Sequence, residues 1–442
     1  MPIIPNNRTI PYNRHVKTHC RQKMSSLNVE LYGILLGKLT PEEREFSFEV
    51  EPGVFEHYPA DSTIMSLAVP LSSRYTAPQR KKYLNFFAEL LPEGRNLRWL
   101  CEYMPPENRN TLGVLRKHGR DSAGALTIYD PDDPGTSTPA TIERVDGQQV
   151  RYLLEHMPQE PLANSPVSGR IVLGGMQGKI VLARENDEWY RTHYGYPSTH
   201  ILKPAVHELP TLIYDEAFCM QLAQKVGLTS KAVWIEEFDG ADALVIERFD
   251  RDNAYSGGRI HQEDFNQALG ARGDQKYQDA GGKVSAKRIA LTLERFAGKE
   301  EVAAFASQML FAIAIGNLDL HAKNISVFHF PDGTVKLTPT YDQVPLRHQP
   351  TDERMALAVG GEYVHANLNM QRIIAELLSW KSDSFPDERA AETFVKNCLG
   401  SYLEAMEDVP LHNKAYPMLR EMITLFITRL LCGKSIGKEI GK

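Results

Sequence analysis

The run M-L-F-A-I-A-I, residues 309–315, is apolar without a break and stops at Gly316 against N-L-D-L-H-A-K-N-I-S. A stretch of this kind reads as a helix buried on every side inside a core. The polar residues that follow stand at the edge of that core, where each side chain must find a partner, water or a ligand. Asp319, His321, Lys323 and Asn324 are then either the caps of a helix end and its turn or the wall of a cleft.

A chain of 442 residues exceeds one ordinary core and suits roughly two or three packed lobes. With 42% hydrophobic and 24% charged residues it has the composition of a soluble globular protein. No apolar run reaches the about 18 to 20 residues that a membrane span needs, so no membrane association is expected. The formal net charge of -6 supplies no general basic field of the kind that draws proteins onto phosphate backbones. Cys20, Cys101, Cys219, Cys398 and Cys432 are scattered and form no C-x-x-C pair, which predicts a reducing compartment and neither a disulfide framework nor a structural zinc. The N-terminus lacks the apolar segment of a secretory signal, and a cytoplasmic location follows. Residues 1–26, basic and Pro/Asn-rich, read as a disordered extension or as a start assigned too early.

From Leu27 to about 135 the pattern is that of a small mixed lobe. N-V-E-L-Y and F-S-F-E-V alternate as strands, L-N-F-F-A-E-L-L-P reads as a helix stopped by Pro92, and N-T-L-G-V-L-R-K-H-G as a helix stopped by Gly119. P-D-D-P-G-T-S-T-P-A-T then marks a linker, with a lobe boundary near 131–140. Residues 140–255 carry R-I-V-L-G-G-M-Q-G-K-I-V-L-A, expected to be two strands joined by a Gly-rich turn, then the strand T-H-I-L-K-P, a helix ending at Gly227 and the buried strand A-L-V-I-E-R-F-D. Residues 256–442 read as mainly helical from about Ala286, interrupted only by one hairpin with Asp332 and Gly333 at its turn. The fold class expected is α+β, bilobal and similar to protein kinases, with a mainly helical C-terminal lobe.

Asp319 and Asn324 have the D-x-x-x-x-N spacing of the protein kinase catalytic loop, in which the Asp accepts the substrate hydroxyl proton and the Asn holds magnesium. Asp342, in T-P-T-Y-D-Q-V after the hairpin, could be the second magnesium ligand. Gly174, Gly175, Met176, Gln177, Gly178 and Lys179 form a turn in which backbone N–H groups could approach phosphates, although a tight hairpin accounts for it equally. Lys203 ends a strand and Glu216 lies on the next helix, the kinase arrangement of a phosphate-contacting lysine held by a glutamate. Glu247, Phe249 and Asp250 fall where a hinge should be, with backbone for adenine and Asp250 for ribose. Each part alone has an ordinary explanation as a cap, a turn or a solvated charge; their order along the chain is that of a bilobal kinase. A third reading takes Asp319 and His321 as the D-x-H of a metal phosphoesterase, which would need further His and Asp clusters.

The motifs together resemble the HipA-like serine/threonine kinases, the toxin halves of bacterial toxin-antitoxin pairs. The resemblance rests on L-N-F-F-A-E-L-L-P, G-R-D-S-A-G-A-L, T-H-I-L-K-P, V-I-E-R-F-D-R, H-Q-E-D-F-N-Q-A-L-G, K-Y-Q-D-A-G-G, D-L-H-A-K-N and L-T-P-T-Y-D, and covers nearly the whole chain from about residue 27. It makes residues 27–135 the N-terminal subdomain of that family. It implies ATP and Mg2+ as cofactors, Asp319 as base, Asn324 and Asp342 on magnesium, Lys203 on the phosphates, and supporting roles for His321 and Lys323. It further implies a protein substrate of the translation machinery, of the aminoacyl-tRNA synthetase type, and a small helix-turn-helix antitoxin that carries the DNA contact. The family's self-inactivating serine is replaced by Val172, with Ser165 and Ser168 a few residues upstream. The alternative within this resemblance is a catalytically weak scaffold that acts as co-regulator with a DNA-binding antitoxin.

Overall fold

Alternation of apolar and polar residues builds the first sheet. In Leu27–Leu31 every second side chain is buried, and this strand sits between Ile34–Pro41 and Leu126–Tyr129, with Phe46–Val50 at the outer edge, all antiparallel. Leu27, Val29 and Leu31 pack with Phe46, Phe48, Phe86 and Phe87 in one core. The helix Ala77–Glu89 that supplies the last two starts at a Thr76–Gln79 capping pair, and Asn110 caps Thr111–His118 by accepting the Gly113 N–H at 2.9 Å. The computed structural model describes residues 25–43 and 45–438. Most of the expected extension 1–26 therefore lies outside the described residues, but Ser25 and Ser26 are placed: the Ser25 hydroxyl donates to Asp130 at 2.6 Å, and that of Ser26 meets Thr40 at 3.1 Å.

After the 131–140 segment a second antiparallel sheet begins, in the order Thr141–Val145, Glu188–His193, Ile180–Glu185, His200–Pro204, Ala241–Glu247, Val233–Phe238. The helices Gly147–Glu155 and Leu212–Lys225 pack on it through separate clusters, Val150, Leu153 and Leu154 in one and Ile213, Ala217 and Met220 in the other. The third part is helical around Lys299–Ile315, whose residues from Gln308 to Ile315 are all buried. The helices Ala286–Phe296, Met370–Ser379, Glu388–Met406 and Leu419–Leu431 share its core. The architecture is a mixed α+β fold.

Two expectations need correction. R-I-V-L before the Gly-rich turn is not a strand; it forms only an isolated bridge from Ile171 to Asp121, because the Asn164 side chain satisfies both the Ile171 N–H (2.9 Å) and its carbonyl (2.8 Å) in place of a ladder. The hairpin Ser326–His329 with Val335–Leu337 is present, but a second, Arg354–Val359 with Glu362–Val364, also interrupts the helices. Its turn depends on consecutive left-handed residues, Gly360 at φ 57° and Gly361 at φ 77°.

A buried charge network joins the first sheet's last connection to the second sheet. Asp121 is completely buried, and its carboxylate accepts from the Ser198 hydroxyl at 2.6 Å, Arg251 at 2.7 Å and Arg259 at 3.4 Å. Burial alone would raise its pKa; Arg251, Arg248 and Arg259 outweigh that and hold it below the usual value. Asp121→Ala leaves Arg251 and Arg259 short of a counter-charge, and should cost about 3–5 kcal/mol in a urea titration. Because the folded pKa is depressed, the contribution is complete above the unfolded value and is lost as pH falls, so the gap to wild type should narrow below about pH 4. Superimposable titrations at neutral pH would contradict the network.

Candidate active site

The polar run that follows the core helix is positioned from its first residue. Gly316 ends the helix in a left-handed conformation (φ 74°), and a Cβ there would meet Arg347 Cγ at 2.7 Å. Asn317 makes the turn: its Oδ1 accepts the Asp319 N–H at 2.9 Å, while its Nδ2 donates to Gln343 at 3.2 Å and to the Asp342 carbonyl at 3.4 Å. Gly316 is the cap of the helix and Asn317 satisfies the turn, so Asp319 does neither with its side chain. Asn324, in the short 3-10 turn Ala322–Asn324, donates to the Asp319 carbonyl at 3.0 Å and to Asp342 Oδ2 at 3.2 Å.

Asp342 itself adopts φ 55°, a conformation that non-glycine residues seldom take outside constrained sites. Its other oxygen accepts from Lys203 Nζ at 2.6 Å, and the same ammonium donates to Glu216 at 2.7 Å. Glu216 is fully buried on the helix Leu212–Lys225. Burial alone would lift the Asp342 pKa, but Lys203 overcomes it and holds the group at about 2. Glu216 is raised by its burial, against the pull of Lys203. Lys203 would be lowered by burial, yet Asp342 and Glu216 raise it above the usual lysine range. Asp319 is different: its side chain is 47% exposed and faces the Tyr277 hydroxyl at 3.3 Å. Desolvation in the cleft, helped by the nearby Asp342 charge, pushes it up to about 6.

The Gly-rich turn, Gly174 to Lys179, is held by its carbonyls. Lys179 donates to the Gly174 carbonyl at 2.7 Å, and Asn96 donates to those of Gly175 at 3.2 Å and Gln177 at 3.0 Å. Gly175 has φ 103°, and a Cβ there would lie 2.7 Å from Lys179 Nζ. Burial and the neighbouring Lys203 charge lower the Lys179 pKa to about 8. Met176 is exposed and Gly178 is buried.

The hinge reading changes. Asp250 is buried and spent on Arg248 at 2.8 and 3.0 Å, Arg251 at 3.0 Å and the Gly124 N–H at 2.7 Å, so it is not free for ribose. The Glu247 N–H already donates to the Ala232 carbonyl at 3.0 Å, and its side chain pairs with Lys231 at 2.8 Å. Phe249 packs its ring near Tyr341 and Phe328. His321 is buried edge-on to Tyr277, its pKa lowered to about 4 by burial and by Lys276. Among the described residues no group of three or more His, Cys, Asp and Glu could hold a metal, which removes the support a D-x-H phosphoesterase would need. Of the two expected magnesium ligands, Asp342 fits through its carboxylate, a hard oxygen donor beside Asp319 that already sits against a positive charge, whereas Asn324 meets it through Nδ2–H and would have to turn its amide oxygen to join the site.

Sequence reading gave no role to Glu89, Glu93, Lys276 and Tyr277. Lys323 donates to Glu89 at 2.8 Å and pairs with Glu93 at 3.2 Å; Lys276 donates to Glu93 at 2.7 Å. Their only signal lay in the E-L-L-P-E and K-Y-Q-D motifs, whose members are distant in the chain.

Two family models match: a HipA N-terminal domain over residues 27–129 and a HipA-like C-terminal domain over 171–406. The chain belongs to the HipA family. The serine/threonine-protein kinase toxin HipA of Shewanella oneidensis is 28% identical over 364 residues, 77% of this chain and 80% of that protein. The Y4mE protein of Sinorhizobium fredii is 29% identical over 352 residues, 78% of this chain and 83% of its own. The HipA structure from Shewanella oneidensis MR-1, solved with HipB and operator DNA, shares the fold at a TM-score of 0.73 and 22% identity, covering 92% of this chain and 96% of that one.

Lys203→Met strips the counter-charge from Asp342 and from buried Glu216. It should lower stability by about 3–5 kcal/mol in chemical denaturation, and an unchanged midpoint would mean that the pairings are not formed in solution.

Proposed function

We infer that this HipA-family chain is an ATP-dependent serine/threonine protein kinase, with the sheet-rich part and the mainly helical part as the two lobes of a kinase-like fold. The observation that carries the reading is the convergence of Asp319, Asn324, Asp342, Lys203 and Glu216 through direct hydrogen bonds, although they come from separate elements. Phosphoryl transfer asks mainly for positioning and charge neutralisation. Asp319, open to the cleft and raised by its surroundings, takes the proton from the attacking hydroxyl. Lys203 would contact the nucleotide phosphates, the 174–179 turn would lie against them, and the Phe249 backbone would serve the adenine. Asn324 and Asp342 would hold magnesium, which when bound would neutralise charge on the phosphates.

The kinship with a kinase toxin, and with a HipA solved beside HipB and operator DNA, supports a toxin-antitoxin role. The antitoxin would be a small helix-turn-helix protein through which the complex reaches DNA, and the target a cytoplasmic protein of the translation machinery, of the aminoacyl-tRNA synthetase type. No helix among the described residues is long and apolar enough to cross a membrane. With Val172, buried and without a hydroxyl, where the family serine would align, self-inactivation would have to use one of the serines upstream. Ser168 is buried against His193 at 2.7 Å, which leaves Ser165 as the more accessible of the two upstream serines.

With labelled ATP, magnesium and a bacterial extract, the wild-type chain should label a discrete protein. Asp319→Ala should reduce that labelling by about 100- to 10,000-fold, and Asp342→Asn should do so at ordinary magnesium concentration. Equal labelling by wild type and Asp319→Ala would sink the assignment.

A further inference from the structure

The corner between the helices Ala77–Glu89 and Gly94–Glu102 touches three segments of the proposed kinase cleft, although it belongs to the N-terminal domain. At its centre is Glu93. Its carboxylate lies between two buried ammonium groups, Lys276 at 2.7 Å and Lys323 at 3.2 Å. Lys323 stands in the 319–324 loop, next to Asn324. Lys276 precedes Tyr277, whose hydroxyl donates to Asp319 at 3.3 Å. The Glu93 N–H donates to the Gly175 carbonyl at 3.3 Å, and Asn96, one turn on, holds the same loop at Gly175 and Gln177.

An ammonium buried without a counter-charge is strongly disfavoured, so Lys276 and Lys323 are kept in place by the acids that face them. Lys323 has two, Glu89 at 2.8 Å and Glu93, while Lys276 has Glu93. Glu89 is in turn fixed by the Gly273 N–H at 2.8 Å and Asn266 at 3.0 Å. The charges therefore alternate across the domain boundary, acids from the N-terminal domain and lysines from the C-terminal domain. Lys203, Glu216 and Asp342 make no hydrogen bond or ion pair with Glu93 in this arrangement.

We propose that Glu93 is a positioning residue for phosphoryl transfer, contributed by the N-terminal domain, which sets the Gly-rich turn, Tyr277 and the 319–324 loop in register with one another. The N-terminal domain is then part of the catalytic apparatus and not only an appended surface. The inference rests on the kinase reading above, and it predicts a defect in turnover and not in nucleotide affinity. A displacement of about 1 Å at the reacting groups is worth up to about 100-fold in rate.

The test uses the full chain carrying Glu93→Gln or Glu93→Asp. In labelled-ATP transfer, Glu93→Gln should lose about 10- to 100-fold in kcat while the KM for ATP stays within about twofold, and Glu93→Asp should recover part of the loss. In amide hydrogen exchange on the protein without nucleotide, Glu93→Gln should speed exchange about tenfold in 174–178, 273–277 and 319–324, and leave the helix Lys299–Ile315 protected. Wild-type exchange in those three segments overturns the proposal, as does a loss of protection spread over the whole chain, which would make Glu93 a stability residue only. If the wild type transfers no phosphate, the kinase reading fails, and the exchange pattern still decides whether Glu93 positions the loops.

Discussion

A single ammonium group, Lys203 at 5% exposure, sets the terms for the whole cleft. A lysine so deeply placed stays charged only if acids come to it, and the fold delivers two from opposite sides. Glu216 arrives on the helix packed against the second sheet, and Asp342 arrives from beyond the hairpin in a left-handed conformation held through Asn317 and Asn324. The strand, the helix and the loop must therefore meet within hydrogen-bonding distance or leave a charge unpaired. That requirement ties the sheet-rich and helical parts together at the proposed nucleotide site.

The same logic governs the other joints. Asp121 faces Arg251 and Arg259 where the first domain meets the strand end, and Glu89 and Glu93 face Lys323 and Lys276 where it meets the helical part. Apolar packing divides the chain into separate clusters, with the first sheet in one and the long central helix in another. Directional charge pairs across their boundaries add what packing alone lacks, a fixed angle between the parts. Precise relative placement is what in-line transfer demands.

Much of this is legible in the sequence. Period-two alternation marked Leu27–Leu31 and Phe46–Val50, helical spacing marked Leu212–Lys225, and Gly316 marked the end of the central helix. Asp319, Asn324, Asp342, Lys203 and Glu216 were named from spacing and order, and the fold brings them together. Asp250 misled because its position after a strand matched a hinge, while the cue to its actual partners, Arg248 two residues before and Arg251 one after, was equally visible. R-I-V-L has the composition of a strand, but Asn164 supplies its hydrogen bonds, and no local pattern announces a side chain standing in for a ladder. The hairpin at Gly360 and Gly361 was hidden by its short second strand, Glu362–Val364.

What the chain determined by itself was local: where strands alternate, where helices begin and stop, and which carboxylates and amides stand at kinase-like spacing. These follow from backbone sterics and periodic burial, which act over a few residues. Which charges meet was decided only by the tertiary structure. Glu93 and Lys276 lie in different domains and share no motif, and Coulomb attraction between buried groups depends on distance in space, to which order along the chain is blind.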